Sequence, residues 1–172
     1  GADNTKPSSL GVGNFNMSSH SGIIYLGEDP ETSSKTVWIN SNVTLDGGAY
    51  GGITFNGKID TPGEASALRL VNFCGSNDTA CVIGGMMPGR AGQKNVLYMR
   101  KTGTGKWRMA DHENRGSLGV FDVEEGTLQF DSIAEKGFPC SLGYATNLFE
   151  KCIHNPYASG VPVYYAMVLG GE

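Results

Sequence analysis

From Asn95 to Ser132 the sequence reads as four short strands separated by turns, and this recurrence limits the fold more than any other feature. Val96–Met99 passes through Lys101-Thr102-Gly103-Thr104-Gly105 into Lys106–Met109. A polar run, Asp111–Gly116, then precedes Gly119–Val123, and Glu124-Glu125-Gly126 precedes Thr127–Phe130. Each strand alternates polar residues with β-branched, aromatic or long apolar ones, the pattern of a strand with one buried face. Each break is built from Gly, Asn, Asp or Glu, which supply positive φ angles and polarity. A chain that folds back this often has no helix to cover its apolar faces. It buries them against further copies of the same arrangement, as a stack does.

The rest of the chain repeats the theme. Short apolar runs centre near residues 24, 38, 44, 54, 69, 82, 97, 108, 121 and 129, each after a polar or Gly-rich break. The mean step is about twelve residues, so two strands per coil give coils of roughly twenty-three, suited to a solenoid of stacked units. Composition agrees. Gly supplies 26 of 172 residues, about twice its usual share of roughly 7%, and charged residues are 17% against a typical value of about 25%. Glycine at that density opposes helices, since each costs roughly 1 kcal/mol in a helix interior.

Lys101-Thr102-Gly103-Thr104-Gly105-Lys106-Trp107, followed by Val123-Glu124-Glu125-Gly126-Thr127-Leu128, resembles the autotransporter-associated β-strand repeat. That repeat has the form L-x-K-x-G-x-G-x-[LW]-x-L, a polar loop, then V-x-x-G-x-L. Upstream, Gly52–Ile59 looks like the coil that often precedes it. The match covers about a fifth of the chain. The resemblance implies the passenger region of a bacterial autotransporter or adhesin-like protein, at the cell surface, attached to the outer membrane or secreted. With the handedness of parallel crossovers it implies a right-handed parallel β-helix. An antiparallel β-sandwich is the alternative that short, evenly spaced strands allow.

Along the chain, residues 1–21 are expected to be a leader or N-terminal cap, 22–132 the coils, with the repeat motif at 95–132, and 133–172 a less regular part. In that last part residues 133–138 and 142–151 allow a short helix or an irregular excursion, and Val161–Leu169 reads as an apolar strand. The chain has no run of about 18 apolar residues, so no membrane span is expected. A net charge of −4 disfavours nucleic acid as a partner. The four cysteines fall in two close pairs, Cys74 with Cys81 and Cys140 with Cys152, each bracketing a short loop. Local disulfides are expected, and with them an oxidising compartment. Zinc is disfavoured because C-x2-C spacing is absent.

Catalytic chemistry has few candidates. Asp111-His112-Glu113-Asn114-Arg115 is the densest cluster of suitable types, but it falls in the polar turn of the motif and reads as a solvated turn. Asp60, Glu64 and Arg69 form a looser set with the same reading. His20, His112 and His154 are scattered, so no metal site is expected, and no cofactor motif is present. Trp38, Tyr50, Tyr98 and Trp107 are read first as rings filling or flanking the core, and second as an outward ladder for sugars. Asn42-Val43-Thr44 and Asn77-Asp78-Thr79 match the glycosylation sequon, relevant only in a eukaryotic source. Met86-Met87-Pro88-Gly89 reads as an apolar contact loop.

The expected function is a non-enzymatic structural or adhesive segment whose partners are surface glycans or proteins. The alternatives are a carbohydrate-active β-helix enzyme (a polysaccharide lyase or glycoside hydrolase) and a module that self-associates through its coil ends.

Overall fold

The computed structural model describes residues 13–61, 68–85, 96–110, 120–133, 140–142 and 167–169. Among these the chain is all-β, a parallel β-solenoid without a helix. Its strands are β1 (Phe15–Met17), β2 (Gly22–Ile24), β3 (Glu31–Ser33), β4 (Val37–Ile39), β5 (Val43–Asp46), β6 (Ile53–Phe55), β7 (Ile59–Asp60), β8 (Leu68–Cys74), β9 (Cys81–Ile83), β10 (Val96–Lys101), β11 (Lys106–Met109), β12 (Val120–Val123), β13 (Thr127–Phe130) and β14 (Met167–Leu169). Sheet I runs β1-β4-β7, sheet II β2-β5-β8-β10-β12-β14, and sheet III β3-β6-β9-β11-β13. The strand pairings among the described residues are parallel, which removes the sandwich alternative.

The first three coils carry three strands each, not two, because β1, β3 and β7 are two- or three-residue rungs in stretches that read as leader or loop. A rung that short cannot display a period-two pattern, so composition alone decides how it reads. β1 lies inside the stretch 1–21 and is the first rung of sheet I. β2 ends at Ile24, leaving Leu26 beyond the strand and exposed.

Parallel register piles inward side chains into columns. Leu45, Phe73 and Lys101 form one in sheet II, and Val43, Val71, Met99 and Phe121 another. In sheet III the columns are Ile53, Cys81, Trp107 and Leu128, and Phe55, Ile83 and Met109. The sheet I column is Phe15, Val37 and Ile59. These columns meet in one hydrophobic core, with Phe73 and Trp107 packed ring to ring at 5.0 Å.

The corner between sheets II and III explains the repeat motif. Gly48, Gly75, Gly103 and Gly126 occupy successive coils at that corner, each with positive φ, at +69°, +114°, +71° and +75°. They also sit against one another's backbone: a Cβ on Gly103 would lie 2.7 Å from the Gly75 carbonyl oxygen, and one on Gly75 2.9 Å from that of Gly48. Ser76 N donates to the Gly48 carbonyl and Gly105 N to that of Gly75, each at 2.9 Å. Lys101 turns inward and is buried; its Nζ donates to the carbonyls of Thr102 (2.8 Å), Gly103 (2.5 Å) and Glu125 (3.1 Å). One ammonium thus ties a corner to the next coil. Trp107 fills the core and donates from Nε1 to the Cys74 carbonyl of the coil before, at 2.9 Å. Lysine, glycines and tryptophan of the motif therefore all serve coil stacking.

Candidate functional site: the outer sheet faces

Residues that alternate with the core columns point outward, so outward chemistry is also set in columns, one strand spacing of about 4.8 Å apart. On sheet II one such column is Thr44, Asn72, Arg100 and Asp122. Arg100 Nε lies 3.1 Å from Glu124 Oε1 and 3.8 Å from Asp122 Oδ2, with Asp122 nearly buried and Glu124 exposed. Thr102 Oγ1 donates to Asn72 Oδ1 at 3.1 Å. The residues 22 and 24 positions after Arg100 meet it because Lys101 pairs with Val123 in register. Aligning the two halves of the motif on those residues is the signal in the sequence that points to this cluster.

Two carboxylates near one another invite comparison with glycoside hydrolysis, where one carboxyl must stay protonated to act as an acid. Here the same guanidinium faces both carboxylates and links them across the coil boundary. The arrangement suits an ion-paired stripe better than an acid–base couple. On sheet III, Arg108 holds Asp131 of the next coil through two bonds, Nε–Oδ1 at 2.7 Å and Nη2–Oδ2 at 2.6 Å, again tying coils together from outside.

On sheet I the column that alternates with the core is Asn16, Trp38 and Asp60, of which Asn16 is exposed and Asp60 buried. Trp38 is half-buried between the fully buried Val37 and Ile39. Asn40 Nδ2 donates to Asn16 Oδ1, and Thr36 N to Asn14 Oδ1 at 3.1 Å. No family model, curated protein or solved structure matches this chain.

Asp111–Arg115, Glu64, His154, Cys152 and Met86–Gly89 lie outside the described residues, as do 143–151 and 161–166. Asp60 and Arg69 are both buried but belong to different sheets, and Arg69 Nη1 donates to the Ile39 carbonyl at 2.5 Å inside the coil. His20 is exposed, with φ +61°. Among the described residues no group of three His, Cys, Asp or Glu is placed to hold a metal ion. Of the four aromatics, Trp107 fills the core, Trp38 lies on an outer face and Tyr50 is 69% exposed, while the Tyr98 side chain is outside the described set. Asn77 of one sequon is buried, bonded from Nδ2 to the Gly51 carbonyl and through Oδ1 to Thr79 N, so it is a turn-forming residue.

Cys74 and Cys81 are separate thiols, where the loop they bracket suggested a bridge. Strand parity is the reason. Cys74 follows the inward Phe73 and pairs in register with Asp46 on the outer side, whereas Cys81 is in the core column between Ile53 and Trp107. Burial pushes the Cys74 thiol up to about 11, and the Asp46 carboxylate beside it adds to this, with Lys101 opposing. Burial raises Cys81 likewise. Cys140 is buried near the end of the described coils.

Proposed function

We propose that this chain is a non-enzymatic structural and adhesive segment of a bacterial cell-surface or secreted protein of the autotransporter kind. The observation that carries this reading is the glycine-and-lysine corner: the residues shared with the autotransporter repeat are those that make one coil stack on the next. The outer faces support it too, since Arg100 and Arg108 are engaged in pairs between coils. With Cys74 and Cys81 unbridged, the surface location rests on the repeat resemblance rather than on cysteine chemistry.

The test is to incubate the purified chain with a panel of neutral and acidic polysaccharides and follow new reducing ends and unsaturated products. In parallel, its retention on glycan- and protein-coated surfaces is measured. Retention without turnover is expected. Turnover that disappears in Asp122→Asn or Glu124→Gln sinks the reading in favour of the carbohydrate-active alternative. Sizing of the same sample addresses self-association through coil ends.

A further inference from the structure

The corner between β2 and β3 contains the one Asp–Pro peptide bond of the chain, Asp29–Pro30, and its carbonyl is held from two sides. Residues Glu28, Asp29 and Pro30 are exposed, so water reaches the bond. Tyr25 packs against the core, and its hydroxyl donates to the Asp29 carbonyl oxygen four residues on. The phenol gets there by lying over Gly27, where any Cβ would collide with it. The next coil closes the other side. A Cβ on Gly51 would lie 2.5 Å from the Asp29 carbonyl oxygen and 2.7 Å from its carbon, and Gly51 N donates to the Gly27 carbonyl at 3.0 Å. A donor fixed on an amide oxygen draws electrons from the carbonyl carbon and stabilises the charge that attack would place on the oxygen. Partial burial raises Tyr25 above the ordinary phenol value, and the Glu31 and Asp29 carboxylates add to this, so the hydroxyl keeps its proton.

We infer that the folded chain cleaves its own Asp29–Pro30 bond, with the Asp29 carboxyl as nucleophile and the Tyr25 hydroxyl as the donor to the developing oxyanion. A carboxyl oxygen of Asp29 attacks the carbonyl carbon of the same residue and closes a five-membered cyclic anhydride as the C–N bond to Pro30 breaks. The carboxyl proton passes to the nitrogen, and Pro30 leaves as a secondary amine. Water then opens the anhydride and restores both carboxyls of Asp29, so the sum is hydrolysis of one peptide bond with no other reactant. Nucleophile and target belong to one residue, which makes the attack intramolecular. The piece ending at Asp29 carries β1 and β2, which remain laddered to β4 and β5, and Lys35 Nζ donates to its Gly13 carbonyl at 2.9 Å. The cut therefore leaves both pieces on one stack. Cleavage at this corner does not depend on what the outer faces bind.

The experiment holds the full chain at mildly acidic pH and 37 °C with protease inhibitors and follows intact mass over several days, beside the same chain unfolded in concentrated urea. The expected products are one fragment ending at Asp29 and one beginning at Pro30. They are expected to form about tenfold faster in the folded chain than in urea, at a rate independent of protein concentration. Tyr25→Phe, which keeps the ring and removes the donor, is expected to bring the folded rate down to the rate in urea. Asp29→Ala is expected to stop cleavage in both states, and native sizing to show the two fragments eluting together. Thermal melts of the variants are recorded, and the folded-to-urea ratio together with Asp29→Ala decides the outcome should Tyr25→Phe unfold. An intact folded chain overturns the inference, as does cleavage no faster than in urea or a folded rate that Tyr25→Phe leaves unchanged. A rate that rises with protein concentration marks cleavage between molecules and overturns it too. Fragments that part on native sizing overturn the retained pair.

Discussion

Gly103 shows how much a single backbone position carries in this fold. Its φ of +71° costs a residue with a Cβ about 1–2 kcal/mol, and that Cβ would be 2.7 Å from the Gly75 carbonyl oxygen, which cannot give way without shifting the coil below. Gly103→Ala is therefore expected to destabilise the chain by more than about 2 kcal/mol, measured as a lowered urea midpoint with an unchanged slope. A change below about 0.5 kcal/mol means the corner is not under this constraint. Cys74 makes a chemical prediction at the same scale. The thiolate is the species that alkylates, and a thiol pushed up to about 11 holds little of it near neutrality. Iodoacetamide labelling of Cys74, followed by peptide mass spectrometry, is expected to be slow at pH 8 and to accelerate up to about pH 11. Asp46→Asn removes a carboxylate that raises this value, so it is expected to speed labelling at pH 8. A rate at pH 8 equal to that of an unhindered thiol, and insensitive to Asp46→Asn, contradicts the geometry. The same suppressed thiolate slows any exchange into a disulfide.

At the scale of the element, legibility tracked strand length and burial. β10 and β11, with six and four residues, announce themselves through alternation, and their turns through Gly103 and Gly105. β3, whose residues are Glu31, Thr32 and Ser33, carries no apolar residue at all. It is a strand because its neighbours in sheet III, Ile53 and Phe55, pair with it in register, a tertiary cause that local sequence does not contain. The same holds for the outward columns: Arg100, Asp122 and Glu124 meet only once the coil offset is known, so the sequence pointed instead to the contiguous run Asp111–Arg115. The Cys74 and Cys81 pair differs for a related reason, since proximity in sequence says nothing about which side of a strand each residue takes. Lys101, which the sequence shows only as the head of the turn Lys101–Gly105, is the buried tie of a corner. Replacing it by Met keeps the bulk but strips hydrogen bonds from the carbonyls of Thr102, Gly103 and Glu125. Lys101→Met is expected to cost about 2 kcal/mol in chemical denaturation, while Lys106→Met, one corner onward and only half-buried, costs much less. Equal effects of the two substitutions contradict a tie at Lys101.

For the whole molecule, stability in a stack of coils is a sum of coil terms and nearest-neighbour terms, so position along the axis matters as much as side-chain type. The middle coils, built on β5, β6, β8 and β9, have a strand on both sides in sheets II and III. Their core side chains are sealed: Leu45, Phe55, Phe73 and Cys81 are each at most 1% exposed. The first coil has a neighbour on one side only among the described residues, and its inward Phe15 and Ile23 are just partly buried. Opening that end breaks one set of ladder bonds, whereas opening the middle breaks two, so amide exchange should be graded along the axis rather than uniform. The expected result in hydrogen–deuterium exchange is fastest exchange in β1, β2 and β3 and slowest in β5, β6, β8 and β9. A core truncation should follow the same gradient. Phe73→Ala, which empties a site walled by Leu45, Lys101 and Trp107, is expected to cost about 3–5 kcal/mol and to loosen β5 and β10 with β8. Met17→Ala, at the end of the stack, should stay near the lower limit for such truncations, about 2 kcal/mol, and leave exchange in β8 untouched. If both substitutions accelerate exchange everywhere by the same factor, the chain unfolds as a single unit and coupling between coils exceeds what nearest-neighbour stacking supplies.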